Sequence, residues 1–192
     1  MKRDKWDSRN RHFPILRIIG LPGAGKTTLA KRLSRKLGLP IFQIGEYRSR
    51  LQSSWTGEAD AWVGLFKDLS RRKWRNCILE TTGLNRRECF LQAALPFFQM
   101  ITIKLDALRK VLYLRIGKKR KRERGGQWLF SSDYPDKYVF VRKLYKEFKR
   151  PPSDIRIDTT NLTQQEVYQT TLRKLEIYMR APIKRLEDRN GG

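Results

Sequence analysis

Nine consecutive residues, Gly20-Leu21-Pro22-Gly23-Ala24-Gly25-Lys26-Thr27-Thr28, carry the clearest chemistry in the chain. Their spacing is G-x-x-x-x-G-K-T. Glycines in such a loop let the backbone approach a ligand closely, and its successive N–H groups form a concave nest for anionic oxygens. A helix that follows adds the positive end of its dipole. Lys26 supplies a point charge suited to the β- and γ-phosphates of a nucleoside triphosphate, and the Thr27 hydroxyl is suited to ligating Mg²⁺. The stretch reads as a phosphate-binding loop for ATP.

Two carboxylates and several arginines stand where they could act with that loop. Glu46 and Arg48 follow the apolar run Ile41-Phe42-Gln43-Ile44, and Glu80 follows Cys77-Ile78-Leu79. Ligands of open parallel sheets bind beyond the carboxyl ends of the strands. Glu46 and Arg48 are thus placed for an acceptor substrate; the other reading is a pair of ordinary charges in a helix's first turn. Glu80 is placed as a Mg²⁺ partner or to orient the acceptor, although Thr-Thr-Gly-Leu-Asn after it is also good capping chemistry. Arg115-Ile-Gly-Lys-Lys-Arg-Lys-Arg-Glu-Arg124 before Gly125-Gly126 is the densest basic stretch. It reads as a mobile lid bringing arginines to the γ-phosphate, as a nucleic-acid or nuclear-import patch over 118–124, or as a solvated helix face. Trp55, in a Ser/Thr/Gly stretch near the acceptor position, is either a base-stacking platform or a structural aromatic.

The elements that must position these groups follow from periodicity. Ile15–Ile19 is a short apolar run, read as a buried strand. Leu29, Leu33 and Leu37 recur every four residues along a helix that stops at Gly38. The spacing predicts a second strand over 41–44 and a helix from Glu58 to about Lys73, with Trp62, Leu65, Phe66 and Leu69 inward. It predicts a third strand at 77–79, a helix over 86–95 and a fourth strand over 98–105. A helix from about Ala107 runs into the basic stretch, and another covers about 136–149. The fifth strand is 155–157. The last helix, capped by Thr163, has Val167, Leu172, Leu175 and Tyr178-Met179 inward. No internal repeat is visible.

Composition bounds the rest. The 192 residues suit one α/β domain, over 14–180, between a basic N-terminal arm (1–13) and a polar C-terminal tail (181–192). Lys and Arg total 43 against 19 Asp and Glu, a net charge of +24 that favours polyanionic partners. Cys77 and Cys89 form no C-x-x-C pair and His12 is the single histidine, which argues against a zinc site or disulfide scaffold and suits a reducing intracellular compartment. No segment approaches transmembrane length, and residues 1–13 carry no secretory h-region.

With these features the chain resembles the P-loop kinases of the nucleoside-monophosphate-kinase and shikimate-kinase type, over about residues 14–180. The resemblance implies a three-layer α/β/α P-loop NTPase fold, a five-stranded parallel sheet of order 2-3-1-4-5, and a small basic lid at about 117–135. It implies ATP phosphates on Gly20, Leu21, Pro22, Gly23, Ala24, Gly25, Lys26, Thr27 and Thr28, with Lys26 catalytic. Mg²⁺ would lie on Thr27 and Glu80, and Arg120 or Arg124 would be the lid arginine. Arg115 would join the nucleotide site, and Asp158-Thr159-Thr160 falls where the family holds the adenine. Glu46, Arg48 and Arg86 would face the acceptor. Gly45-Glu46 is similar to the Gly-Asp that opens the AMP-binding helix of adenylate kinases, with the following arginine displaced to Arg48 or Arg50. Glu46-Tyr47-Arg48, with Thr82-Gly-Leu-Asn-Arg-Arg87, is similar to phage-type polynucleotide kinases, with Gly45 where they carry the first of two acids. A phosphate acceptor needs arginines, and a hydroxyl acceptor is helped by a carboxylate that takes its proton; the chain offers both. The charge favours a nucleotide or nucleic-acid end. A basic nucleic-acid-binding module without turnover and a small-metabolite kinase are the competing classes.

Overall fold

The computed structural model describes residues 13–50, 55–84, 99–122, 136–149 and 151–180. The elements in order are β1 (Ile15–Gly20), α1 (Lys26–Leu37), β2 (Ile41–Gln43), α2 (Ile44–Arg50), α3 (Trp55–Arg71), β3 (Cys77–Glu80) and β4 (Met100–Asp106). They continue with α4 (Arg109–Arg122), α5 (Lys137–Leu144), a 3₁₀ turn (Glu147–Lys149), β5 (Ile155–Asp158) and α6 (Gln164–Arg180).

The strands form one parallel sheet in the order β2-β3-β1-β4-β5, as the resemblance implies. Strand side chains alternate between two cores. Leu16, Ile18, Ile78, Ile101, Ile103 and Leu105 meet Leu29 and Leu33 of α1, Leu112 of α4, Phe140 of α5 and Leu175 of α6. Ile15, Cys77, Leu79 and Met100 meet Tyr47 of α2 and Trp62, Leu65 and Leu69 of α3. Each fully buried Leu or Ile contributes about 1.5–3 kcal/mol of burial, so helices on both faces follow from strands that are apolar on both faces. Arg17 and Lys104 are buried in the middle of this sheet. The Lys104 ammonium donates to the Lys149 and Pro151 carbonyls (3.1 and 3.3 Å) and lies 4.6 Å from the Phe148 ring centroid. It thereby ties the chain after α5 to the sheet.

Several boundaries differ from the periodicity reading. β2 stops at Gln43, and Ile44 already belongs to a helix. α3 begins at Trp55, so the Ser/Thr/Gly stretch assigned to a loop is partly helical. β4 begins at Met100 rather than 98, and the helix expected over 136–149 is α5 plus a separate 3₁₀ turn. In α6, Val167 and Leu175 are buried and Leu172 and Tyr178 pack half-buried against the core as expected, while Thr171 joins the inward face and Met179 is exposed. Thr163 does cap α6: its N–H donates to Glu166 Oε2 (2.7 Å) while the Glu166 N–H donates to its hydroxyl (3.2 Å), a reciprocal capping box. The helix expected over 86–95 lies outside the described residues.

Candidate active site

The site lies at the carboxyl end of the sheet, where strand register brings separated residues level. Ile18 of β1 and Gln43 of β2 both pair with Glu80 of β3. The phosphate-binding loop, the Glu80 carboxylate and the start of α2 therefore share one edge. The loop turns through Gly23 at φ 85° and Gly25 at φ 97°, left-handed conformations that glycine adopts without steric cost. Gly25 is the N-cap of α1 and supplies no side-chain cap. The first N–H groups of a helix have no intrahelical acceptor, so the mouth of α1 presents donors to an anion. Lys26 begins α1, and its ammonium reaches back to the Leu21 carbonyl at 3.4 Å.

Thr27 and Glu80, 53 residues apart in sequence, meet directly: the Thr27 hydroxyl donates to Glu80 Oε1 at 2.8 Å. Glu80 is buried, and its Oε2 has no hydrogen-bond partner among the described residues. A buried carboxylate oxygen without a donor is costly unless a cation or water completes it. Among the described residues no group of three or more His, Cys, Asp or Glu could hold a metal. Mg²⁺ needs no such cage, because it is usually held by one or two protein oxygens together with water and phosphate. The hydroxyl-carboxylate pair with its unsatisfied oxygen thus fits Mg²⁺ by donor type.

A second network holds the loop from the β4–β5 side. Arg115 of α4 donates through Nη1 to Thr159 Oγ1 (2.9 Å) and through Nη2 to the Thr159 carbonyl (2.6 Å). The Thr159 hydroxyl lies 2.9 Å from the Asp106 carbonyl and 3.4 Å from that of Ala24 in the loop. Burial pushes the Arg115 pKa down, and nearby Asp158 opposes this. The α4 backbone also touches the loop: a Cβ on Gly23 would stand 2.8 Å from the Leu112 carbonyl oxygen. Arg115 and Thr159, both expected at the nucleotide, thus fasten α4 and the end of β5 to the phosphate-binding loop. Beside them, a cleft of about 180 Å³ is lined by Leu21, Leu105, Leu112, Tyr145, Phe148 and Asp158, with others.

Where the acceptor is expected, Glu46 is exposed in the first turn of α2 and Arg48 is buried in the same helix. Tyr47 between them donates to Asp68 Oδ2 of α3 (2.7 Å), and burial is the largest cause that pushes its hydroxyl pKa up. Gly83, at φ 84°, packs so closely that a Cβ would stand 3.0 Å from Ile19 Cβ. Arg86 and Arg124 lie outside the described residues, and Arg120 is described as backbone of α4 alone. Periodicity carried no sign of the Arg115–Thr159 contact, which joins residues 44 apart. It also gave no sign of the basic turn over Arg72–Asn76 that follows α3.

Comparison with known proteins places this geometry. A family model described as an AAA domain, AAA_17, matches residues 19–79, which run from the end of β1 through β3. No curated protein is significantly similar in sequence. Among solved structures, a gluconokinase from Sinorhizobium meliloti 1021 is 17% identical with a TM-score of 0.60, covering 90% of this chain and 100% of its own. The shikimate kinase of Aquifex aeolicus is 21% identical with a TM-score of 0.58, covering 87% and 99%. The Bacillus subtilis YorR protein in complex with phosphorylated GDP is 18% identical with a TM-score of 0.54, covering 88% and 99%. In loop, sheet order and overall architecture, the chain is a P-loop protein with the fold of the nucleoside-monophosphate-kinase and shikimate-kinase type.

Proposed function

We propose that the protein is an ATP- and Mg²⁺-dependent phosphotransferase that moves the γ-phosphoryl group to a nucleotide or nucleic-acid end. The observation that carries this reading is the Thr27–Glu80 pair, 2.8 Å apart, with its unsatisfied oxygen beside the uncapped start of α1. The open N–H groups of the loop and α1 hold the phosphates, and Lys26 leaves Leu21 to neutralise charge on the transferring group. Thr27 and Glu80 would hold the metal. When bound, Mg²⁺ supplies Lewis-acid charge to the phosphate oxygens. Glu46 at the start of α2 is placed to accept the proton of a hydroxyl acceptor, and Arg48 to pair with an acceptor phosphate.

The net charge of +24 supports a nucleotide or nucleic-acid acceptor, as does a shared fold with a protein solved with phosphorylated GDP. The second reading is transfer to a small-metabolite hydroxyl, which the gluconokinase and shikimate kinase neighbours favour. Transfer of labelled γ-phosphate from ATP to a mixed panel separates them. The panel holds nucleoside monophosphates, nucleosides, short DNA and RNA with 5′-hydroxyl ends, and sugar acids and polyols. Label is expected on a nucleotide or nucleic-acid member, with Lys26→Ala lowering the rate on the order of 10²-fold or more. Label confined to polyols or sugar acids would select the second reading. Unchanged turnover in a folded Lys26→Ala protein would overturn the loop's role.

A further inference from the structure

The end of the sheet away from the phosphate-binding loop carries a second basic surface. α3 ends at Arg71, and the chain turns through Arg72-Lys73-Trp74-Arg75-Asn76 into β3. The Lys73 N–H donates to the Ser70 carbonyl (2.7 Å) and the Trp74 N–H to that of Leu69 (3.0 Å), the two bonds of a Schellman helix terminus. The residue after the cap in that motif is left-handed and is usually glycine. Here it is Lys73 at φ 52°, followed by Trp74 at φ 53° and, past Arg75, Asn76 at φ 53°. Asparagine tolerates this region, whereas lysine and tryptophan adopt it at a cost. Glycine at 73 would end the helix with less strain. Lysine there keeps a charge on the surface against stability, the kind of strained position that clusters at binding sites.

Around this turn the side chains are already arranged. An open groove of about 620 Å³ is lined by Phe42, Asp68, Arg71, Arg72, Arg75 and Asn76. The Arg72 guanidinium lies over the Phe42 ring at 5.7 Å, and Arg71 Nη1 lies 2.9 Å from Asp68 Oδ1. Trp74 packs its ring 5.8 Å from that of Phe66. One or two cations would complement the α3 dipole; Arg71, Arg72, Lys73 and Arg75 exceed that. Phe13, just before β1, pairs with this turn. The Phe13 N–H donates to Asn76 Oδ1 (2.7 Å) and the Asn76 N–H to the Phe13 carbonyl (2.9 Å), and Lys2, Arg3, Lys5, Arg9 and Arg11 precede Phe13 in sequence.

We propose that this groove is a binding surface for single-stranded nucleic acid, distinct from the phosphate-transfer site. The three cations that line it, Arg71, Arg72 and Arg75, are all arginines, with the exposed Lys73 beside them; arginine's planar fork suits phosphate oxygens and its face stacks on bases. Membrane binding would call for exposed apolar side chains among the cations. The large apolar residues exposed among the described ones, Val63, Leu108, Leu114, Ile177 and Met179, do not line the groove. β1 spans its six residues in about 20 Å, and Cys77 pairs with Ile15 at its start, so the 72–76 turn and the phosphate-binding loop lie at opposite ends of that strand, with Phe42 extending the groove toward Leu79. Binding here does not depend on phosphate transfer.

The test measures binding of the full-length protein to short labelled single-stranded RNA and DNA by fluorescence anisotropy over a range of salt. The wild type should bind with strong salt dependence. Arg72→Ala with Arg75→Ala should weaken binding about tenfold and lower the slope of log affinity against log salt by about 1.4. Lys73→Gly should weaken binding several-fold while raising Tm by about 2–4 °C, a pairing that a purely structural lysine would not produce. If the double variant fails to fold, Lys73→Gly carries the test alone. Wild-type binding that is absent, or unchanged in every folded variant, would overturn the proposal. So would capture by anionic phosphatidylserine vesicles without binding of either nucleic acid.

Discussion

Left-handed backbone occurs at both ends of the sheet, and among the described residues only the amino end places residues other than glycine in it. At the carboxyl end the positions are Gly23 (φ 85°), Gly25 (φ 97°) and Gly83 (φ 84°); at the amino end Gly38 (φ 66°), the C-cap of α1, is joined by Lys73, Trp74 and Asn76 (φ 52–53°). Where backbone N–H groups are themselves the binding surface, a side chain is an obstruction and glycine is required. Where side chains are the surface, the chain accepts backbone strain to keep them. Positive charge gathers at both ends, but the carboxyl end adds a buried carboxylate, Glu80, which accepts from Thr27 and whose Oε2 has no hydrogen-bond partner among the described residues. The amino end has in its groove one acid, Asp68, held by Arg71 and Tyr47. This difference marks the carboxyl end as the place for chemistry.

The sharpest way to break that contrast is Glu80→Gln. The amide keeps an acceptor for the Thr27 hydroxyl and replaces the unsatisfied anionic oxygen with a neutral group. If Glu80 holds the metal, phosphate transfer should fall on the order of 10²–10³-fold, equivalent to about 3–4 kcal/mol of transition-state stabilisation. The Mg²⁺ concentration needed for half-maximal rate should rise, while nucleic-acid binding at the amino-end groove stays unchanged. A near-normal rate with normal Mg²⁺ dependence would remove Glu80 from the metal site.

Next in size is a paired glycine substitution. A Cβ on Gly23 would meet the Leu112 carbonyl oxygen at 2.8 Å and Leu112 Cα at 3.3 Å, whereas one on Gly25 would meet nothing within 4 Å. Gly25→Ala should therefore cost the left-handed penalty alone, about 1–2 kcal/mol. Gly23→Ala should cost about 2–4 kcal/mol, because α4 must also give way. Chemical denaturation reads both. Equal losses would mean that α4 does not rest on the loop as described.

The legible parts of this architecture were those set by local pattern. The loop motif, the short β-branched and aliphatic stretches at 15–19 and 77–79, and the alternating Ile155-Arg156-Ile157 announced themselves by residue type and spacing. Sheet order was reached through the resemblance rather than through periodicity. Composition misled at Trp55-Thr56-Gly57, where loop-favouring residues sit inside α3. The end of α3 was blurred for a physical reason: its terminus lacks glycine, so no stop signal marks Arg71. The same omission hid the basic turn, whose charges were overshadowed by the denser run at 115–124. The Arg115–Thr159–Ala24 contacts had no signal, because they depend on which strands become neighbours.

The smallest expected effect concerns acid, and it sharpens the carboxyl end alone. Asp158, at the end of β5, accepts the Thr160 N–H at 2.9 Å. Hydrogen bonds from Thr160 are the largest cause holding its carboxyl below the usual range, with Arg156 and Arg115 adding to them and burial opposing. A carboxyl depressed in the folded state contributes stability that is complete above its unfolded value, about 3.9. That stability is lost as pH falls through the lower folded value. Below about pH 4 the wild type should thus lose Tm more steeply than Asp158→Asn, which has no charge to lose. Asp158 is exposed, so solvent screening limits the difference to about 2 °C or less. Parallel acid limbs would show that the Thr160 turn holds without the ionised carboxylate, leaving Arg115 and Thr159 as the fastening between the end of β5 and the phosphate-binding loop.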